Sequence, residues 1–255
     1  MKSVGRRAFK ALAWLYGERP LPVSAVRLTR RLALGDDPLL PPAWLVGTSS
    51  TAIRNSQLRD RLASQELGGM ALGARTINLL EREVRRLRPE LVLEFGSGIS
   101  TLCLAQFMFD VHGPGGGIRV LSIDQDERYA TVTRGLLQEA GLADAARVVA
   151  CPLSQQTIEG FTANCYTMPP AGDLREFEGR AGMVLVDGPA AENGARFGTL
   201  PLGRAYAANG ARFMLDDALR DGELDTMRRW SRLPYVRVQG LRVVEKGILV
   251  GLVNP

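Results

Sequence analysis

Apolar residues recur at helical spacing through Arg75–Arg88. Ile77, Leu80, Val84 and Leu87 share one face, and Pro89 stops the run. From there the pattern alternates between short apolar stretches and amphipathic ones. Leu91–Phe95 reads as a strand carrying one acid, Ser100–Phe109 as a helix, Arg119–Ile123 as a strand and Glu127–Ala140 as a helix. Arg147–Cys151 is a further strand, and residues 152–181 read as a long irregular connection holding Pro169 and Pro170. Met183–Val186 (strand), Arg196–Ala208 (helix), Ala211–Leu215 (strand) and Gly222–Ser231 (helix) follow. The strands Tyr235–Gln239 and Ile248–Val253 end the chain. Strands separated by helices of this length imply βαβ units, hence an α/β, doubly wound and mostly parallel sheet.

The segment before Arg75 is different. Residues 2–16 predict a short helix with Lys2, Arg6 and Lys10 on one side and Phe9, Leu12 and Leu15 on another, and the proline-rich Gly35–Pro42 predicts a linker. The chain therefore divides into a basic, helical or irregular N-terminal extension, 1–74, and a second unit, 75–255. Residues 1–35 hold eight basic side chains against Glu18 alone, a net +7, so the rest of a chain of net charge +5 carries −2. A basic collar on a slightly acidic body speaks against a nucleic-acid reader. It leaves two readings for the collar: a solvated helix face, or a foot for an anionic membrane surface or an acidic partner.

With 45% hydrophobic and 23% charged residues over 255 positions, the composition excludes wholesale disorder. No apolar run approaches the roughly 20 residues of a membrane-spanning helix, and Ala11–Tyr16 is too short for a secretory core of roughly 7–15. Cys103, Cys151 and Cys165, with no C-x-x-C pair, suit small core residues in a reducing cytoplasm. The single histidine, His112, excludes a zinc site built on several imidazoles, and its glycine-rich setting reads as a surface loop.

In open α/β sheets, ligands sit at the carboxyl ends of the strands. The first such end carries Glu94, Gly96, Ser97, Gly98 and Thr101. Gly96 permits a tight turn, and Gly98 lets a ligand approach the backbone. A dinucleotide fingerprint wants a third glycine where Thr101 stands, so this loop points to a nucleoside ligand without a diphosphate. The second strand ends in Asp124, placed to accept both ribose hydroxyls. Asp126 reads as the cap of the following helix. In the 152–181 connection, Tyr166 is either a lid residue or an ordinary packed tyrosine.

Glu94, Gly96 and Gly98 followed by Asp124 resemble a class I S-adenosylmethionine-dependent methyltransferase. Val184–Pro189, Ala195–Phe197, Leu215–Ala218, Gly222–Glu223 and Arg229–Trp230 are similar to its methyltransferase-24-like bacterial branch. The resemblance spans about Leu79 to Val253. It implies a Rossmann-like seven-stranded sheet with the last strand antiparallel, and a cytoplasmic enzyme that methylates a small hydroxylated acceptor. It further implies that Glu94, Gly96, Ser97 and Gly98 hold the methionine end. Asp124 and Gln125 would then serve the ribose end, Cys151 would lie beside the adenine, and Asp187 would lie near the transferred methyl.

Asp187, Asp216 and Asp217 follow adjacent strands and are the catalytic candidates. Their placement resembles catechol-type O-methyltransferases, which hold magnesium between Asp, Asp and Asn. Here Asp217 stands for the Asn, and Ala190 stands where those enzymes carry a lysine. The metal is left open; the reading favoured is that one carboxylate, Asp187, acts as base while Asp216 or Asp217 caps the next helix. Two rival functions remain: a nicotinamide-dependent oxidoreductase on a similar sheet, and a non-catalytic cofactor-binding scaffold.

Overall fold

The computed structural model describes residue 11 and residues 20–26, 49–65, 67, 71–170, 172–190 and 194–255. The helix expected over 2–16 and the linker at Gly35–Pro42 lie outside these residues. Among the described residues there are nine strands: β1 (Leu91–Phe95), β2 (Val120–Asp124), β3 (Ala146–Ala150), β4 (Leu153–Ile158), β5 (Phe161–Tyr166), β6 (Ala181–Val186), β7 (Ala207–Leu215), β8 (Val236–Arg242) and β9 (Ile248–Val253). The α-helices are α1 (Ser56–Arg61), α2 (Ala74–Leu87), α3 (Ile99–His112), α4 (Glu127–Glu139), α5 (Thr199–Gly203) and α6 (Asp221–Trp230).

Seven strands form one sheet in the order β3-β2-β1-β6-β7-β9-β8. Neighbours from β3 to β7 pair in parallel. β9 alone is reversed, running antiparallel to both β7 and β8. This is the mostly parallel, doubly wound sheet that the pattern predicts, with the antiparallel last strand that the resemblance implies. Helices cover both faces, so β1 and β2 are buried at every position. The two-residue period then divides the core. Leu91, Leu93 and Phe95 face a cluster with Phe197, Leu200 and Trp230, whereas Val92 faces Ile77, Leu80 and Phe107 of α2 and α3.

Two stretches depart from expectation. The connection 152–181 is not irregular: β4 and β5 form an antiparallel hairpin. Its turn residues, Glu159 and Gly160, both have positive φ (50° and 73°), the conformation that a two-residue hairpin turn requires. The hairpin docks through Phe161, whose ring meets Phe197 edge-on at 5.3 Å and carries the Arg229 guanidinium over its face at 3.6 Å. The helix expected at Arg196–Ala208 is broken into a 3-10 turn (Ala195–Gly198), the short α5 and a second 3-10 turn (Arg204–Tyr206). Gly198, Pro201 and Gly203 lie within that stretch, and each disfavours a continuous helix.

Part of the segment before Arg75 packs on the sheet domain. Leu21 exchanges backbone hydrogen bonds with Leu241 at 2.7 and 2.9 Å, and Ile53, Leu58 and Leu62 are buried with α2. Among the described residues, no helix is long and apolar enough to cross a membrane.

Candidate active site

The loop from β1 to α3 is braced from below. The Thr101 and Ser122 hydroxyls donate to one oxygen of Glu94 at 2.5 and 2.6 Å, and the Gly98 amide donates to the Thr101 hydroxyl at 3.0 Å. Glu94 is fully buried, and its other carboxylate oxygen receives no hydrogen bond among the described residues. Burial pushes its carboxyl up to about 7. From the side, the amide and hydroxyl of Ser97 donate to Asp124 Oδ2 at 2.8 and 2.5 Å, and the Asp126 amide donates to Oδ1 at 2.9 Å. Asp126 caps α4, as expected, by accepting the Arg128 amide at 2.8 Å.

Gly96 has φ 95°, and a Cβ there would lie 2.6 Å from the Gly188 nitrogen, so the turn after β1 touches the turn after β6 directly. Gly98, at φ 149°, would point a Cβ into open space with no atom of the described residues within 4 Å. Beside this loop lies a cavity of about 390 Å³, within the range of small-ligand pockets. Gly96, Ser97, Asp124 and Gln125 line one side, and Asp187, Gly188 and Ala190 line another. Gln125 spans the two sides, its amide donating to the Ala190 carbonyl at 3.3 Å. Tyr166, at the end of β5, joins the lining. It is 1% exposed, and its hydroxyl has no hydrogen-bond partner among the described residues. Gly98 itself is not among the residues that line the cavity.

At the far side stand the three aspartates. Asp187, Asp216 and Asp217 each offer an oxygen within 4.8 Å of the others. Three cations penetrate the group. Lys246 Nζ lies 2.8 Å from Asp217 and 3.5 Å from Asp216. Arg220 reaches Asp217 at 2.9 Å. The buried Arg196 approaches Asp217, Glu223 and Asp187 at 3.5, 3.6 and 3.8 Å, and donates to the backbone carbonyls of Asp187 and Asp216. Burial works against the charge of Asp217, but Lys246, Arg196 and Arg220 outweigh it and hold the carboxyl below its ordinary value. The Asp216 carboxylate receives no hydrogen bond among the described residues, and burial, reinforced by Asp217, pushes it up to about 8. Burial also raises Asp187, with Arg196 opposing. Asp187 has the most exposed side chain of the three, 17% against 1% for Asp216 and 3% for Asp217.

Neither Asp216 nor Asp217 caps the next helix, which corrects that expectation. α6 begins at Asp221 with Arg220 as its cap residue. Asp217 has φ 56° and spends its carboxylate on Lys246 and Arg220. A divalent metal does not fit these residues either. The place beside Asp216 and Asp217 is taken by the Lys246 ammonium, at 3.5 and 2.8 Å.

The structure thus brings Gly96, Ser97, Asp124, Gln125, Asp187 and Asp217 to one cavity. Glu94, Cys151 and Asp216 lie behind its surface, 0%, 1% and 1% exposed. Cys151 contributes a backbone amide that donates to the Asp124 carbonyl at 2.7 Å, while burial pushes its thiol up to about 11. His112 contacts the Pro89 carbonyl at 2.9 Å, outside the cavity lining. Sequence reasoning missed the roles of Arg196, Arg220, Glu223 and Lys246. For Lys246 a signal existed: it is the one lysine after Lys10 in a chain that otherwise uses arginine.

No family model matches the chain, and no curated protein matches it in sequence. Solved structures do match in fold. A methyltransferase from Geobacter sulfurreducens aligns with a TM-score of 0.52 at 19% identity, over 92% of this chain and 100% of that one. An SAH-bound methyltransferase from Podospora anserina gives 0.52 at 14% identity, over 92% and 98% of the two chains. An O-methyltransferase from Bacillus cereus, in complex with SAH, gives 0.50 at 16% identity, over 91% and 100%. At such identities the likeness establishes a shared fold.

Proposed function

We propose that this chain is an S-adenosylmethionine-dependent methyltransferase acting on an oxygen of a small hydroxylated acceptor, in the manner of the methyltransferase-24-like branch. The observation that supports this most is one convergence. A glycine loop tied to Asp124 and a partly buried carboxylate, Asp187, face the same cavity at the carboxyl ends of β1, β2 and β6. The Gly96–Gly98 backbone, Asp124 and Gln125 would hold the cofactor, with Glu94 holding the loop from beneath. When bound, the cofactor supplies an electrophilic methyl on a positively charged sulfur.

The chain's own task is then to align an acceptor and remove one proton. A neutral hydroxyl is a poor nucleophile, and a general base contributes about 10²–10⁴ in rate. Asp187 is the carboxylate for this. It lines the cavity, and burial raises its basicity, whereas Asp217 is neutralised by its cations and Asp216 lies behind the surface. Asp187 would accept the hydroxyl proton and so free an electron pair on the acceptor oxygen for the methyl, which a bound cofactor would give up with its sulfur leaving as a neutral thioether. Three buried free thiols suit a reducing cytoplasm. The basic residues of 1–35 suit peripheral contact with an anionic membrane surface or an acidic partner.

Radiolabelled S-adenosylmethionine offered with hydroxylated aromatic and sugar acceptors tests the reading. Label should move to an acceptor in the presence of EDTA, and Asp187→Asn should lower turnover at least about a hundredfold. No transfer to any acceptor, or NAD-dependent oxidation of one in its place, would overturn it.

A further inference from the structure

The Lys246 side chain is held in place by its neighbours in sequence. Glu245, which has φ 44° and is 1% exposed, accepts the Arg75 and Thr76 amides at 3.1 and 3.4 Å and the Thr76 hydroxyl at 2.8 Å. A carboxylate there satisfies free amides at the start of α2 and complements the helix dipole. On the other side, Gly247 (φ 85°) closes a tight turn by donating to the Val244 carbonyl at 2.7 Å. The Lys246 and Gly247 carbonyls accept the Leu219 and Ala218 amides at 3.2 and 3.0 Å. The turn between β8 and β9 is therefore clamped to α2 and to the segment just after Asp217. From that clamp the ammonium, 6% exposed as a residue, reaches Asp216 and Asp217.

From this geometry we infer that Lys246 is a built-in cation: its ammonium, beside Asp216 and Asp217, takes the place a divalent metal would occupy in the aspartate cluster, and makes the site metal-independent. The chemistry of the side chain suits this. A lysine ammonium is a compact point charge on a flexible stem, able to sit among carboxylates as a metal ion does, whereas a planar guanidinium needs a fork of acceptors. The Arg196 guanidinium fills the other flank by bridging the carbonyls of Asp187 and Asp216, so the aspartates converge on cations supplied by the chain itself. Lys246 also lines the cavity, and so acts as a positioning residue that fixes Asp217 at the cavity wall and Asp216 behind it.

The inference deepens the methyl-transfer reading, but its test reads cation binding, so the two can fail separately. Mn²⁺ is titrated into the full chain and the free-ion signal followed by electron paramagnetic resonance. The wild type should leave that signal undiminished, and stoichiometric binding by the wild type overturns the inference. Lys246→Met, of similar length and uncharged, should bind one Mn²⁺ more than about a hundredfold tighter than the wild type. Asp217→Asn added to it should abolish the gain. A folded Lys246→Met chain that binds no Mn²⁺ contradicts the inference. If Lys246→Met is unfolded in buffer alone, Mg²⁺ or Mn²⁺ should restore its circular dichroism, and failure to restore it counts against the inference in the same way.

Discussion

One oxygen of Asp124 receives both the amide and the hydroxyl of Ser97, at 2.8 and 2.5 Å. A single carboxylate at the end of β2 thereby fixes the glycine loop after β1, and the same side chain lines the cavity. Bracing and the proposed ligand contact would be two separable duties of this residue.

Substitution separates them. Asp124→Ala should weaken SAH binding by about 1.5–3 kcal/mol, the scale of hydrogen bonds to a charged group. Ser97→Ala keeps the amide bond and loses only the hydroxyl, so it should cost less than about 1.5 kcal/mol. Calorimetry on both variants decides. Equal losses would mean that Asp124 acts through the loop, and unchanged affinity in Asp124→Ala would remove it from the ligand site.

Tyr166 carries a hydroxyl that is buried and unpaired among the described residues. Such a group costs about 1–3 kcal/mol when nothing satisfies it. Tyr166→Phe should therefore leave the melting temperature of the free protein unchanged or higher, while SAH affinity or kcat/KM falls. A lower melting temperature with unaltered binding and turnover would show an ordinary packed tyrosine.

Glu94 gives the fold a pH signature. Burial raises its carboxyl from 4.5 to about 7, so between those values the folded chain holds more protons than the unfolded one. The contribution is fully present below pH about 4.5 and is lost as pH rises through about 7. Glu94→Gln keeps an oxygen to accept Thr101 and Ser122 and has no charge to bury. Its urea-unfolding free energy should vary less between pH 5 and 8 than that of the wild type. At pH 8 the variant should be the more stable chain, by on the order of 3 kcal/mol at most. Parallel pH profiles would contradict the assignment.

Much of this was legible in the sequence where one residue type answers one physical need. The continuous apolar run at Leu91–Phe95 could only be a strand covered on both faces, and Gly96 was needed where two turns touch. Asp126 was readable as a cap because capping is local. The hairpin was hidden because its strands alternate weakly and its turn uses Glu159 with Gly160 rather than Asn or Asp with Gly. The cation network was illegible for a different reason. Lys246 meets Asp217 from 29 positions away, and Glu245 meets Thr76 across 169, separations that no local pattern records.

The most direct test of the account is a calorimetric titration of SAH into the wild-type chain and into Gly98→Val. The added side chain would project into the open space beside the loop, and the φ of 149° adds backbone strain of about 1–3 kcal/mol. One SAH should bind per wild-type chain, NAD should give no heat, and a still-folded Gly98→Val should bind no SAH. An absence of SAH binding to the wild type, or binding that survives in Gly98→Val, would contradict it.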